Sequence, residues 1–145
     1  MKWAQTNVST GADRRKLEQE RFAGFVADLR RRGRADKTIG SYRSDWIGLN
    51  DWHEGGGRDE FSILTIAPEA VVAYVAYLRG EGMKPATINR KIVFIKRYVG
   101  WAHSIGLVND EQAQSVTAIK PVAQGPRRPK GLSDLELKRF LKEVE

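Results

Sequence analysis

The stretch GMKPATINRKIVFIKRYVGWAHSIGL, residues 82–107, reads as one helix with two unlike faces. Ile88, Ile92, Ile95, Val99 and Ala102 recur at steps of three and four and line one side. Asn89, Arg90, Lys96 and Arg97 collect on the other, and no acid interrupts the run between Glu81 and Asp110. Pro85 stands in the first turn, where its missing N–H breaks no helical hydrogen bond. Such a helix buries its first face in a protein core and offers its second to something anionic.

The rest of the chain agrees with that demand. With 145 residues it has the length of one domain, and 41% apolar residues suffice for a core. The formal charge of +7 and an isoelectric point near 9.9 point to a polyanion, nucleic acid or an acidic membrane surface. A merely soluble basic protein is the plainer alternative. No cysteine is present, so neither a disulfide framework nor a thiolate metal site is available. The opening MKWAQTNVSTGA lacks the apolar centre of a signal peptide, and no run approaches membrane-spanning length. A cytoplasmic protein with a loose tail over residues 1–12 is expected.

Upstream, ADRRKLEQERFAGFVADLRRRG predicts a first helix over 13–33 with Leu17, Phe22, Phe25, Val26 and Leu29 buried. Asp13 can cap it, Gly33 stops it, and Arg30, Arg31 and Arg32 suit the negative end of its dipole. A second helix spans 37–54, its Ile39, Tyr42, Trp46, Leu49 and His53 facing inward. The opposite stripe holds Lys37, Gly40, Ser41, Ser44 and Gly48. Each interior glycine costs up to about 1 kcal/mol relative to alanine, so either something large approaches this face or the glycines are tolerated slack. GGGRDEFSILTIAP is a connection, and a third helix starts near Pro68 with Val71, Val72, Val75 and Leu78 as its apolar side. A short fifth helix follows at 110–119, with Val116 and Ile119 in the core. Helices two and four echo each other: each opens Thr-Ile, and each has a tryptophan fourteen residues after that threonine, Trp52 and Trp101.

PVAQGPRRPKG, residues 121–131, has almost nothing to bury and reads as a basic interdomain linker. LSDLELKRFLKEVE after it starts a new helix, with Ser133 and Glu136 at capping-box spacing. One helix beyond a linker is no domain, so 132–145 reads as the start of something larger. The expected fold class is all-α, a compact bundle of about five short helices over 13–120, then a linker and one extra helix.

No constellation for catalysis emerges. His53 and His103 stand apart beside tryptophans, and Tyr42, Tyr74, Tyr77 and Tyr98 lack companion Arg and His. No phosphate loop follows a strand, and no carboxylates stand at metal-binding spacing. Metal, cofactor and small-molecule substrate are therefore not expected. Binding explains the charge better. A helix fits the major groove of B-DNA, where Asn and Arg read base edges and Lys holds phosphates. On the fourth helix Asn89 and Arg90 are the candidate readers. Lys84, Lys96 and Arg97 suit the backbone, and Thr87 either donates to a phosphate or helps cap the helix. On the second, Lys37 and Ser41 suit phosphates and Ser44 a base edge, with Arg43 nearer the apolar flank. Arg127, Arg128 and Lys130 add charge in the linker.

Read in order, the helices resemble the core-binding, SAM-like half of tyrosine recombinases, the phage integrase family. The resemblance rests on Thr38-x3-Tyr42-x3-Trp46, then Gly82-x4-Thr87-Ile88-x3-Ile92 leading to Trp101-Ala102, then a basic linker. It covers about residues 36–141, and 68–107 is closest to the Cre branch. Asn109-Asp110 departs from the Asn-Pro often found after the fourth helix. The resemblance implies half of a C-shaped clamp on double-stranded DNA, with the second and fourth helices in the major groove. Lys37, Thr38, Ser41 and Ser44, with Ala86, Thr87 and Arg90, match contacting positions in Cre-like members. It also implies neighbouring protomers in a tetrameric synapse, and a protein encoded by a bacterium, phage or mobile element. Phe22, Val26 and Val116 are candidates for that contact, although a core role suits them better. The family's catalytic arginines, lysine, His-x-x-Arg and nucleophilic tyrosine would lie beyond Glu145, so this chain itself is expected to be no enzyme. A helix-turn-helix regulator and a helical protein-interaction module are the rival readings.

Overall fold

The computed structural model describes residues 11–56 and 61–124. Five α-helices follow one another: α1 (Gly11–Arg31), α2 (Asp36–Gly55), α3 (Pro68–Gly80), α4 (Pro85–Ser104) and α5 (Asp110–Thr117). The described residues contain no strand. The helix expected over 132–145 and most of the 121–131 linker lie outside them, as do residues 1–10.

The opening stretch becomes the hub. α4 packs against all four other helices, and Ile88, Ile92, Phe94, Ile95, Tyr98, Val99 and Ala102 are buried along it. Seven inward residues in twenty make a face too wide for one partner, so the remaining helices wrap it. Rings fill the side shared with α1 and α2. Phe22 stacks on Trp46 at 4.7 Å, and Phe94 lies 5.5 Å from Tyr42. Phe22, Val26 and Val116 all sit in this core, at 5%, 4% and 0% exposure, so none is free for a neighbouring protomer.

Two expectations change. Val72, placed on the inner side of the third helix, is 58% exposed, and Tyr74 is buried there instead. The valine pattern fits a helical stripe one position off the true one. The connection before α3 also carries core: Phe61, Ile63 and Ile66 are buried around a 3-10 turn, Ile63–Thr65, where Ser62 Oγ accepts from the Leu64 N–H.

Beneath that turn lies a group the apolar pattern of α1 hid. Glu18 is 1% exposed. Its carboxylate accepts from Tyr98 Oη at 2.5 Å, the Ile63 N–H at 2.9 Å and Trp46 Nε1 at 3.3 Å, with Arg21 3.7 Å away. One carboxylate thereby ties α1, α2, α4 and the connection together. Burial pushes its pKa above the usual carboxylate range despite these donors, and burial beside it raises that of Tyr98 well above a free phenol's.

The echo between α2 and α4 extends backward into the turns that launch them. Gly33 and Gly82 take φ of 78° and 79°, a left-handed conformation that favours glycine. In each turn the glycine N–H bonds back three residues and the next N–H back five, to Leu29 or Leu78. Ala35 and Lys84 then hold nearly the same extended backbone before the helix starts. Ile39 and Ile88 are the first inward residues, at 2% and 1% exposure. α1–α2 and α3–α4 are thus two hairpins with one turn geometry. Aligning Thr38 with Thr87 pairs Lys37 with Ala86, Ser41 with Arg90, Ser44 with Val93 and Gly48 with Arg97.

α5 starts without the proline. Asn109 accepts from the Gln112 N–H at 2.8 Å while the Gln112 side chain accepts from the Asn109 N–H at 3.2 Å. That reciprocal cap supplies the start.

Candidate nucleic-acid interface

Outward from the core, α2 exposes Lys37, Gly40, Arg43 and Ser44, with Thr38 and Ser41 half-buried at its flank. α4 exposes Ala86, Arg90 and Arg97, with Thr87 half-buried and Lys84 exposed just before it. Lys37, Arg43, Lys84 and Arg97 have no acid partner among the described residues.

The helices are joined by a charged contact that sequence reading missed. Lys91 Nζ donates to Asp45 Oδ1 at 2.9 Å, and Arg90 Nη2 reaches the same oxygen at 3.9 Å. Asp45 is 2% exposed, so this acid does not cancel the outer charge but locks α2 to α4 beneath it. Its place on the inward rhythm Ile39, Tyr42, Asp45, Leu49 was the available signal. Close by, burial, with Asp45 and Tyr77 adding, pushes the Tyr74 hydroxyl up to about 12. Arg90, its side chain 58% exposed, reaches toward α2 at Asp45, the residue after Ser44.

Two expected contacts are spent inside the protein. The Asn89 amide donates to the Val122 carbonyl at 3.0 Å and accepts from its N–H at 2.7 Å. Lys96 Nζ donates to the Ile119 carbonyl. Both pin the chain after α5 along one flank of α4. A polar residue at a helix flank looks the same in sequence whether its partner is a base or a distant backbone. Arg127, Arg128 and Lys130 lie outside the described residues.

The glycines of α2 divide. A Cβ on Gly48 would lie 3.5 Å from Tyr74 Oη, whereas one on Gly40 would meet nothing within 4 Å. Gly48 therefore has an internal neighbour and Gly40 has none. Val93, which sequence reading passed over, is 43% exposed on the stripe between Arg90 and Arg97. In a major groove such a side chain meets thymine methyls.

His103 Nε2 pairs with Asp110 Oδ1 at 2.6 Å across the turn into α5, and the His53 ring packs 5.7 Å from Phe61. Among the described residues, no three His, Cys, Asp or Glu side chains gather as metal ligands. No helix among them is long and apolar enough to cross a membrane.

Residues 22–106 match the family model described as phage integrase, N-terminal SAM-like domain. Comparisons with curated proteins and with solved structures gave no significant match.

Proposed function

Since the matched region covers more than half of it, the chain belongs to the phage integrase N-terminal SAM-like domain family, and from that premise we propose that it grips double-stranded DNA with the outward stripes of α2 and α4. The family gives a general role in site-specific recombination. The finer reading sets both helices in the major groove of a recombination site. Arg90 and Ser44 face base edges, while Lys37, Ser41, Lys84, Thr87 and Arg97 hold phosphates. Thr38 and Arg43 lie at the margin of this footprint, and Ala86 offers one small apolar contact. Asn89 and Lys96 leave the set, because their polar groups are already bonded to Val122 and Ile119.

The observation that carries this reading is the pairing of two helices, launched by the same turn and locked by Asp45–Lys91, whose outer faces hold cations without acid partners. Strand cleavage and rejoining would be the work of a catalytic domain joined to this one through the basic segment at 121–131, with protomers meeting on the DNA. Such contacts would use surfaces other than Phe22, Val26 and Val116.

A gel shift of the 145-residue chain on mixed duplex at low salt tests the proposal. Binding should weaken steeply with salt, each neutralised phosphate adding about 0.9 to the slope of log affinity on log salt. No shift at low salt would leave a protein-interaction module as the better account. A two-fold dimer on a palindromic site would favour a helix-turn-helix regulator.

A further inference from the structure

A cleft of about 220 Å³ opens between the end of α1, the turn into α2 and the later turns of α4. Arg32, Arg34 and Arg97 border it, with Asp28, Gly100 and Ser104 among the other walls. Three guanidinium groups around one cleft repel one another unless an anion joins them, and clefts concentrate the field of such charges. The lining has a single acid, Asp28, and it is already shared: Arg31 pairs with Oδ1, and Arg32 Nε lies 3.0 Å from Oδ2. Arg34 and Arg97 have no acid partner among the described residues. A Cβ on Gly100 would meet nothing within 4 Å, so the α4 wall is open to a group approaching from outside.

We infer that this cleft is a seat for one phosphodiester of the DNA backbone, held by Arg34 and Arg97 with Arg32 fixed beside them by Asp28. The inference rests on the DNA-binding reading above and adds to it a contact from the α1–α2 turn. Spacing supports it. Arg97 lies two turns beyond Arg90 on the same face of α4, about 10.5 Å at 1.5 Å per residue. The major groove is about 12 Å wide. With Arg90 at the bases, Arg97 arrives at the strand that bounds the groove. A phosphodiester offers two unesterified oxygens, the shape that a guanidinium fork bonds in pairs. Arg34 is carried there by the Gly33 turn, so the seat exists only when both hairpins are packed.

The test compares the full chain with an Arg34→Ala/Arg97→Ala double variant on one duplex across a salt series. Thermal melts confirm folding, and an Arg34→Gln/Arg97→Gln pair replaces the alanines if they lower the melt. The double variant should lower the slope of log affinity on log salt by about 0.9 for one lost phosphate. Arg79→Ala, exposed on α3, should leave that slope unchanged. Duplexes carrying a single neutral methylphosphonate should include one position that weakens the parent chain and leaves the double variant indifferent. If the parent binds no duplex at low salt, the DNA-binding reading itself fails. If the parent binds but the double variant keeps its slope and every methylphosphonate penalty, the seat alone is overturned. Competition by inorganic phosphate at constant ionic strength, equal in strength with and without those methylphosphonates, would mark a free-anion site and overturn the backbone assignment.

Discussion

Lys91 and Asp45 form a buried ion pair at 2.9 Å, and it lies directly under the two faces assigned to DNA. Only one oxygen of Asp45 is satisfied, since Oδ2 has no hydrogen-bond partner. Removing Lys91 would leave that carboxylate in the core with Arg90 as its nearest remaining cation. Breaking one side of a buried pair costs about 3–5 kcal/mol. Lys91→Ala should fall near the lower end, because Arg90 can close the remaining distance. Urea denaturation measures the loss, and a change under about 1 kcal/mol would show the pair to be dispensable.

The stability of Glu18 depends on pH in an unusual direction. Its folded pKa lies above the unfolded value, so above the ordinary carboxylate range the native state holds more protons than the unfolded one. The stabilisation from the neutral acid is complete below about pH 4.5, the unfolded value, and is lost as pH climbs through the folded pKa. Glu18→Gln removes this titration. Denaturant melts at pH 4, 6 and 8 should show the parent losing stability relative to the variant as pH increases. A constant difference across that range would place the Glu18 pKa in its ordinary position.

Gly40 separates fold from function. Alanine there has open space and a better helical propensity, so Gly40→Ala should stabilise the fold by up to about 1 kcal/mol. If duplex DNA approaches α2 closely at this stripe, the same variant should bind DNA more weakly. Paired melting and gel-shift measurements read both effects. A rise in stability with unchanged affinity would show that the glycine has no part in the interface.

Arg90 and Asn89 adjoin in sequence and should behave as opposites. Arg90→Ala should relax preference at one base pair, by roughly 1–3 kcal/mol if its contact is bidentate. Asn89→Ala loses two hydrogen bonds to Val122 and should lower stability by about 1–3 kcal/mol, with sequence preference kept. Binding to a selected and a random duplex distinguishes them. Equal losses on both duplexes for Arg90→Ala would remove it from base reading.

Much of the architecture was legible because it depends on short-range periodicity. Ile88 to Ala102, Phe22 to Leu29 and Ile39 to Leu49 each announced a buried face, and Gly33, Pro68 and Pro85 announced boundaries. Val72 misled because the three valines and three alanines of Pro68–Gly80 fit two neighbouring stripes equally well. Glu18, Arg21, Asp45 and Lys91 were hidden for a different reason. Each is held by a partner far along the chain: Tyr98 lies 80 residues from Glu18, Ser62 41 from Arg21, and Lys91 46 from Asp45. The internal bonds of Asn89 and Lys96 were hidden for the same reason, their partners being backbone groups in the segment after α5. Arg34 carried no signal as an isolated turn residue, and it gains meaning only beside Arg97.

Asn89 does more than fill two valences of Val122. It fastens a leash: everything that follows departs from a fixed post next to the first turns of α4. A taut chain advances at most about 3.6 Å per residue, so every residue added after Val122 extends the reach from that post by no more than that. Cutting the fastening would move that post and lengthen the leash.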